Sequence, residues 1–181
     1  MSEGGEKGAG GRPNVVLIGM MGSGKSAVGR RLADWLGVRL NDIDATIEYE
    51  MGRSIAKIFE EWGEGHFREV ERETIARAVR DRPCVIATGG GAFADPVNRA
   101  TLKSDGGVVI YLRASPERLA ARVRHAHKRP LLFDADPLLR IRELLAQREA
   151  TYLEADHVID ADALSLDQTV ARILELLNPG G

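Results

Sequence analysis

A chain of 181 residues with 44% apolar side chains has material for one core and no need to divide into two. Its 25 Lys and Arg nearly balance its 27 Asp and Glu, and a formal net charge of -2 excludes a whole-chain field that would recruit nucleic acid or an anionic membrane. The lone cysteine, Cys84, excludes an internal disulfide and a thiolate zinc site; within the run Cys84-Val85-Ile86-Ala87 it reads as a small buried side chain in a protein of the reducing cytoplasm.

Residues 1–13 are rich in glycine and nearly devoid of side chains to bury, so a disordered tail is expected there. A β-branched run, Asn14 to Ile18, predicts the first strand, and helical spacing follows over Lys25 to Leu36. A second strand is expected over Val38 to Asn41, a helix over Ala45 to Met51, and a long helical pattern over Ser54 to Arg80 that breaks at Gly63 or Gly65. Strands over Pro83 to Thr88 and Gly107 to Leu112 flank a helix at Pro96 to Lys103, and another helix runs from Pro116 to Arg124. Residues 125–136 (HAHKRPLLFDAD) read as a long exposed connection, of the kind that is usually functional in a compact domain. Helices over Pro137 to Leu153 and Leu166 to Leu177 bracket a last strand, His157 to Asp160.

Ser115-Pro116 and Asp136-Pro137 each set a capping residue before a proline at the first helical position. Strand and helix alternate throughout, which predicts an α/β fold: a five-stranded parallel sheet with helices on both faces, in one domain over 14–181. No apolar run approaches the roughly 20 residues that cross a bilayer, and no secretory signal opens the chain.

The segment GMMGSGKS, Gly19 to Ser26, satisfies G-x-x-x-x-G-K-[ST] between a predicted strand and a predicted helix, the context the pattern needs. Gly22, Ser23, Gly24, Lys25, Ser26 and Ala27 would offer backbone N–H groups to phosphate oxygens at the positive end of a helix. Lys25 can reach the β- and γ-phosphates and the Ser26 hydroxyl can ligate Mg²⁺, so ATP or another nucleoside triphosphate is the expected ligand. Met20 and Met21 read as loop filling. The guanine-reading N-K-x-D segment of GTPase switches is absent.

Asp42 and Asp44 follow the second predicted strand, whose carboxyl end faces the same crevice as the phosphate loop in an open parallel sheet. Two apart on an extended segment, they would project together, one toward the metal and one toward a substrate hydroxyl; Asp44 also suits a helix N-cap, and both readings stand. Gly89-Gly90-Gly91 ends the third strand. Three consecutive glycines cost backbone entropy, which a substrate lying against the main chain explains and a flexible link explains less well.

Taken in order, GMMGSGKS, the DxD with Ile-Glu after it, Gly-Arg-Ser-Ile-Ala-x-Ile-Phe, Gly-Glu-x-x-Phe-Arg-x-x-Glu, the GGG triplet and Arg-Pro-Leu-Leu resemble the shikimate kinase family from about Asn14 to Asp160. The resemblance implies a three-layer P-loop kinase fold with a mobile lid over about 125–136. It implies transfer of the γ-phosphoryl group of ATP, with Mg²⁺, to the 3-hydroxyl of shikimate, on the way to chorismate and the aromatic amino acids. Asp44 then matches the carboxylate that accepts a hydrogen bond from the reacting hydroxyl, with Asp42 its partner near the metal. Arg68 and Arg148 match the pair that grips the substrate carboxylate, a task for which a planar guanidinium fork is suited. Gly90 and Gly91 carry over as backbone contacts to shikimate, Arg129 as the lid arginine over the phosphates, and Arg122 as a candidate to stack on adenine.

The chain departs from the family at Arg148-Glu149-Ala150-Thr151-Tyr152, where a proline is missing, and at Leu40, where the family has an aromatic. Trp62 reads as a surface or rim aromatic. A cytoplasmic monomer acting on a small molecule, with no nucleic-acid or membrane partner, is the expectation. The rivals are a gluconate kinase or related small kinase, a nucleotide-binding module that controls a partner, and, ranked last, a nucleic-acid-binding ATPase.

Overall fold

The computed structural model describes residues 12–124 and 136–178. The expected lid, except Asp136, and the expected tail, except Arg12 and Pro13, lie outside the described residues, and so does Arg129.

Five parallel strands form one sheet in the order β2-β3-β1-β4-β5: β1 Val15–Ile18, β2 Arg39–Asp42, β3 Cys84–Ala87, β4 Val108–Arg113 and β5 His157–Asp160. Among the described residues seven α-helices connect or flank them: α1 Lys25–Leu36, α2 Ile43–Met51, α3 Ile55–Ala78, α4 Pro96–Lys103, α5 Pro116–Arg124, α6 Pro137–Tyr152 and α7 Leu166–Leu177. The central strands are apolar, save Arg113 at the exposed end of β4, because both of their faces are covered. Val16 and Ile18 of β1, Cys84 and Ile86 of β3, and Val109 and Tyr111 of β4 pack with α2 to α6. The alternate residues Val15, Leu17, Val85, Ile110 and Leu112 pack with α1 and α7. A pleat of period two thus splits the core into the two layers that the alternating sequence predicts.

Small departures from the expected boundaries have local causes. Strand β2 begins at Arg39 because the N–H of Val38 donates to Ala33 O and closes the end of α1. Strand β3 begins at Cys84, since Pro83 has no N–H to enter the ladder. Helix α2 starts at Ile43, two residues early, because Asp42 is its N-cap and accepts from the Ala45 N–H at 3.3 Å. Between the two glycines considered, it is Gly63 (φ 79°, ψ 171°) that breaks α3. Helix α4 is capped by Asp95, which accepts from the Val97 and Asn98 N–H groups, and α7 by a reciprocal Ser165–Gln168 box.

Strand β1 sits between β3 and β4, so the segments after β1, β2 and β3 open on one edge of the sheet. Among the described residues no helix is long and apolar enough to cross a membrane. Cys84 is buried, and burial pushes its thiol up, as suits an inert side chain.

Candidate active site

The phosphate loop leaves β1 and enters α1 through Gly24, whose φ of 99° belongs to the left-handed region. That conformation turns the first N–H groups of α1 outward with no side chain to cap them. Lys25 is buried and folds back along the loop, its Nζ donating to Gly19 O at 2.8 Å and to Met20 O at 2.9 Å. The ammonium is thereby fixed over the concavity. Arg122, on α5, donates to Gly22 O at 2.9 Å from the opposite side; the structure ties this expected adenine neighbour to the loop itself.

Gly22, Ser23, Gly24, Lys25, Ser26 and Ala27 line one cleft of about 620 Å³ with Asp42, Asp44, Glu48, Gly90 and Arg122, and Leu164 and Leu166 also line it. The volume suits a small-molecule site. The two aspartates converge there, but not along an extended segment: Asp42 caps α2 and Asp44 stands in its first turn. The cap role weighed for Asp44 therefore belongs to Asp42. Glu48, one turn further, accepts from the Ile55 N–H at 3.0 Å and ties α2 to the start of α3.

The glycine triplet is where the other candidates meet. A Cβ on Gly89 would stand 2.7 Å from Asp44 Oδ1, one on Gly90 3.6 Å from Arg148 Nη1, and one on Gly91 2.6 Å from Arg68 Nη2. Three consecutive residues thus each face a different charged side chain, brought from α2, α6 and α3. At Gly89 and Gly91 only bare backbone admits the neighbour, whereas at Gly90 the tight contact is with the Met21 N at 3.3 Å and Arg148 stands at ordinary contact distance.

The two arginines are held differently. Arg68 donates to Glu71 Oε2 at 2.7 Å and to Glu64 Oε1 at 3.2 Å and 3.3 Å. Loss of hydration disfavours its charge, but these carboxylates outweigh that and raise its affinity for the proton. Glu71 is fully buried, and burial pushes its carboxyl up against the pull of Arg68, with repulsion from Asp44 and Asp95 adding to the rise. Its Oε1 has no hydrogen-bond partner among the described residues. Arg148, by contrast, has no ion-paired carboxylate among the described residues, and its Nη1 lies 3.9 Å from Met20 Sδ.

A model of the family described as shikimate kinase matches residues 21–178. The chain belongs to the shikimate kinase family. A shikimate kinase of Symbiobacterium thermophilum is 48% identical over 171 residues, covering 93% of this chain and 98% of the relative. A shikimate kinase from Acinetobacter baumannii, solved in complex with shikimate, superposes with a TM-score of 0.88 at 37% identity over 92% of this chain and 93% of that one. A gluconokinase from Sinorhizobium meliloti, at 21% identity over 93% of each chain and a TM-score of 0.64, shares the fold alone.

The family assignment leaves some residues of the site that motif reading passed over. Tyr152 Oη donates to Gly90 O and its ring lies against Tyr111, whose own hydroxyl donates to Glu149. Burial pushes the Tyr152 phenol up, against the effect of Arg148, so it remains a donor. Glu71 closes the Gly-Glu-x-x-Phe-Arg-x-x-Glu motif, and its part in holding Arg68 comes from the structure. Trp62 is half-exposed on the surface beside His66, in line with the surface reading.

Proposed function

We propose that residues 14–181 act as one kinase domain that transfers the γ-phosphoryl group of ATP to the 3-hydroxyl of shikimate, in the cytoplasm and as a monomer. The convergence of Asp44, Arg148 and Arg68 on Gly89, Gly90 and Gly91 carries this reading, because it sets one hydroxyl acceptor and two carboxylate clasps around a floor of bare backbone beside a triphosphate cradle. The acid enters with its carboxylate between the guanidinium groups of Arg68 and Arg148, each able to offer paired N–H donors. Its reacting hydroxyl donates to Asp44.

Lys25, steadied by two loop carbonyls, takes up charge on the phosphates as the bond to the leaving oxygen stretches. Arg129, outside the described residues, is assigned by the family resemblance to add its charge to that of Lys25 on the phosphates. The donors that face the cleft for a metal are a hydroxyl, Ser26, and a carboxylate, Asp42, an oxygen set that fits Mg²⁺. Among the described residues no cluster of three or more His, Cys, Asp or Glu forms a protein cage, which suits a cation arriving with the nucleotide. When bound, Mg²⁺ supplies neutralisation of phosphate charge. The protein otherwise positions the partners, and Asp44 orients the hydroxyl for in-line attack.

A coupled assay with ATP and Mg²⁺ tests the reading: turnover with shikimate and none with gluconate is expected. Turnover of gluconate alone would replace the proposal with its rival.

A further inference from the structure

Phosphate binding asks nothing of the side chain at position 20, since the loop works through its amides and Lys25. Yet Met20 is buried, and its sulfur lies 3.9 Å from Arg148 Nη1 and 3.8 Å from Tyr152 Oη. Its carbonyl holds Lys25 Nζ at 2.9 Å. One residue therefore touches both the cation that serves the triphosphate and the cation proposed to serve the acid. Tyr152 completes the junction by donating to Gly90 O, and the Gly90 turn itself lies close against the Met21 N–H.

The surroundings of Arg148 differ in kind from those of Arg68. Glutamates orient Arg68 but also offset its charge, whereas a thioether and a phenol are neutral, polarizable neighbours that fix a guanidinium and leave its charge to the ligand. We infer that Met20 is a positioning residue: with Tyr152 it sets the Arg148 guanidinium beside Gly90 in the orientation that receives the substrate carboxylate, and through Lys25 it holds the acid end of the site in register with the phosphate end. This rests on the proposed role of Arg148.

The test is a double-mutant cycle in the full chain, reading the KM for shikimate and the KM for ATP separately, with Tm alongside. M20L keeps volume and removes sulfur. It is expected to raise the shikimate KM about three- to tenfold while the ATP KM stays within about twofold and Tm within a few degrees. Y152F should shift the same constant in the same direction. In an R148A background, where the shikimate KM is already raised, M20L should add nothing, because the group it positions is gone.

A shikimate KM unchanged in M20L, a parallel rise for both substrates, or a full M20L effect persisting in R148A overturns the inference and spares the site assignment. An unchanged shikimate KM in R148A itself overturns both. If M20L does not fold, Y152F with and without R148A decides the matter by the same criteria.

Discussion

The phosphate cradle and the acid-gripping corner share a wall but are built by opposite means. The cradle is eight consecutive residues whose backbone supplies the donors, with Lys25 anchored to carbonyls five and six residues back. The corner draws Asp44 from α2, Arg68 from α3 and Arg148 from α6 onto three glycines after β3, so its donors are side chains from distant parts of the chain. A triphosphate presents repeated anionic oxygens that any well-formed loop can meet, whereas a ring acid must be recognised by charge and hydroxyl geometry together. Local construction suits the first task; assembly from several elements suits the second.

The sharpest way to separate the two regions is at their seam. D44N preserves shape but removes the carboxylate charge and puts an NH2 donor beside the oxygen that can accept from the reacting hydroxyl, so kcat should fall by about 10² to 10³ while affinity for an ATP analogue stays within about twofold. Unchanged turnover would take Asp44 out of the chemistry. Next in size, R68K keeps the charge but loses the fork: the shikimate KM should rise roughly ten- to hundredfold with the ATP KM unmoved. A matching rise in the ATP KM would mean that corner and cradle are not separable.

G91A probes the corner more gently. Its new methyl would stand 2.6 Å from Arg68 Nη2, the far end of a flexible chain that can move aside without unfolding the protein. A rise of about tenfold in the shikimate KM is expected from the displaced guanidinium, with little change in Tm. A normal KM in this variant would show that the bare turn is not needed for the approach of Arg68.

The smallest effect concerns the scaffold behind the corner. Arg72 of α3 grips Asp95, the cap of α4, at 2.7 Å and 2.9 Å. Partial burial alone would raise the Asp95 carboxyl, but the Arg72 hydrogen bond and the Val97 and Asn98 N–H groups outweigh it and hold it below its ordinary value. A depressed carboxyl stabilises the fold above its unfolded pKa, and that contribution is lost as pH falls through its lowered folded value. D95N, in which the amide oxygen can still cap α4, should therefore cost about 1 kcal/mol near neutrality. Its thermal-unfolding curve should meet that of the natural chain on acidification, with kinetic constants unchanged. Parallel curves across the acid range would remove Asp95 from the pH dependence.

Much of the architecture is legible along the chain because it is written in neighbours. Helices α1, α4, α5 and α7 fall where spacing and punctuation place them, and all five strands lie within a residue or so of their apolar runs. The misjudged point, Asp44 on an extended segment, has a physical source: Asp42 accepts from the Ala45 N–H and starts α2 earlier than its apolar spacing suggests. Period alone does not register a cap. The family motifs named Arg68 and Arg148 but not how each is held, since Glu71 is a turn away on the same helix while Met20 is 128 residues from Arg148.

By itself, then, the order of residues determined the phosphate loop, the succession of strands and helices and the identity of the charged groups, because each depends on hydrogen bonds and periodicities spanning a few positions. Only the folded sheet decided that Asp44, Arg148 and Arg68 face successive glycines, that Glu71 is buried with one oxygen unpartnered, and that a methionine of the cradle touches an arginine of the corner. Those relations join different elements of the chain, up to 128 residues apart for Met20 and Arg148, through packing against one sheet, and no local pattern encodes a distance across it.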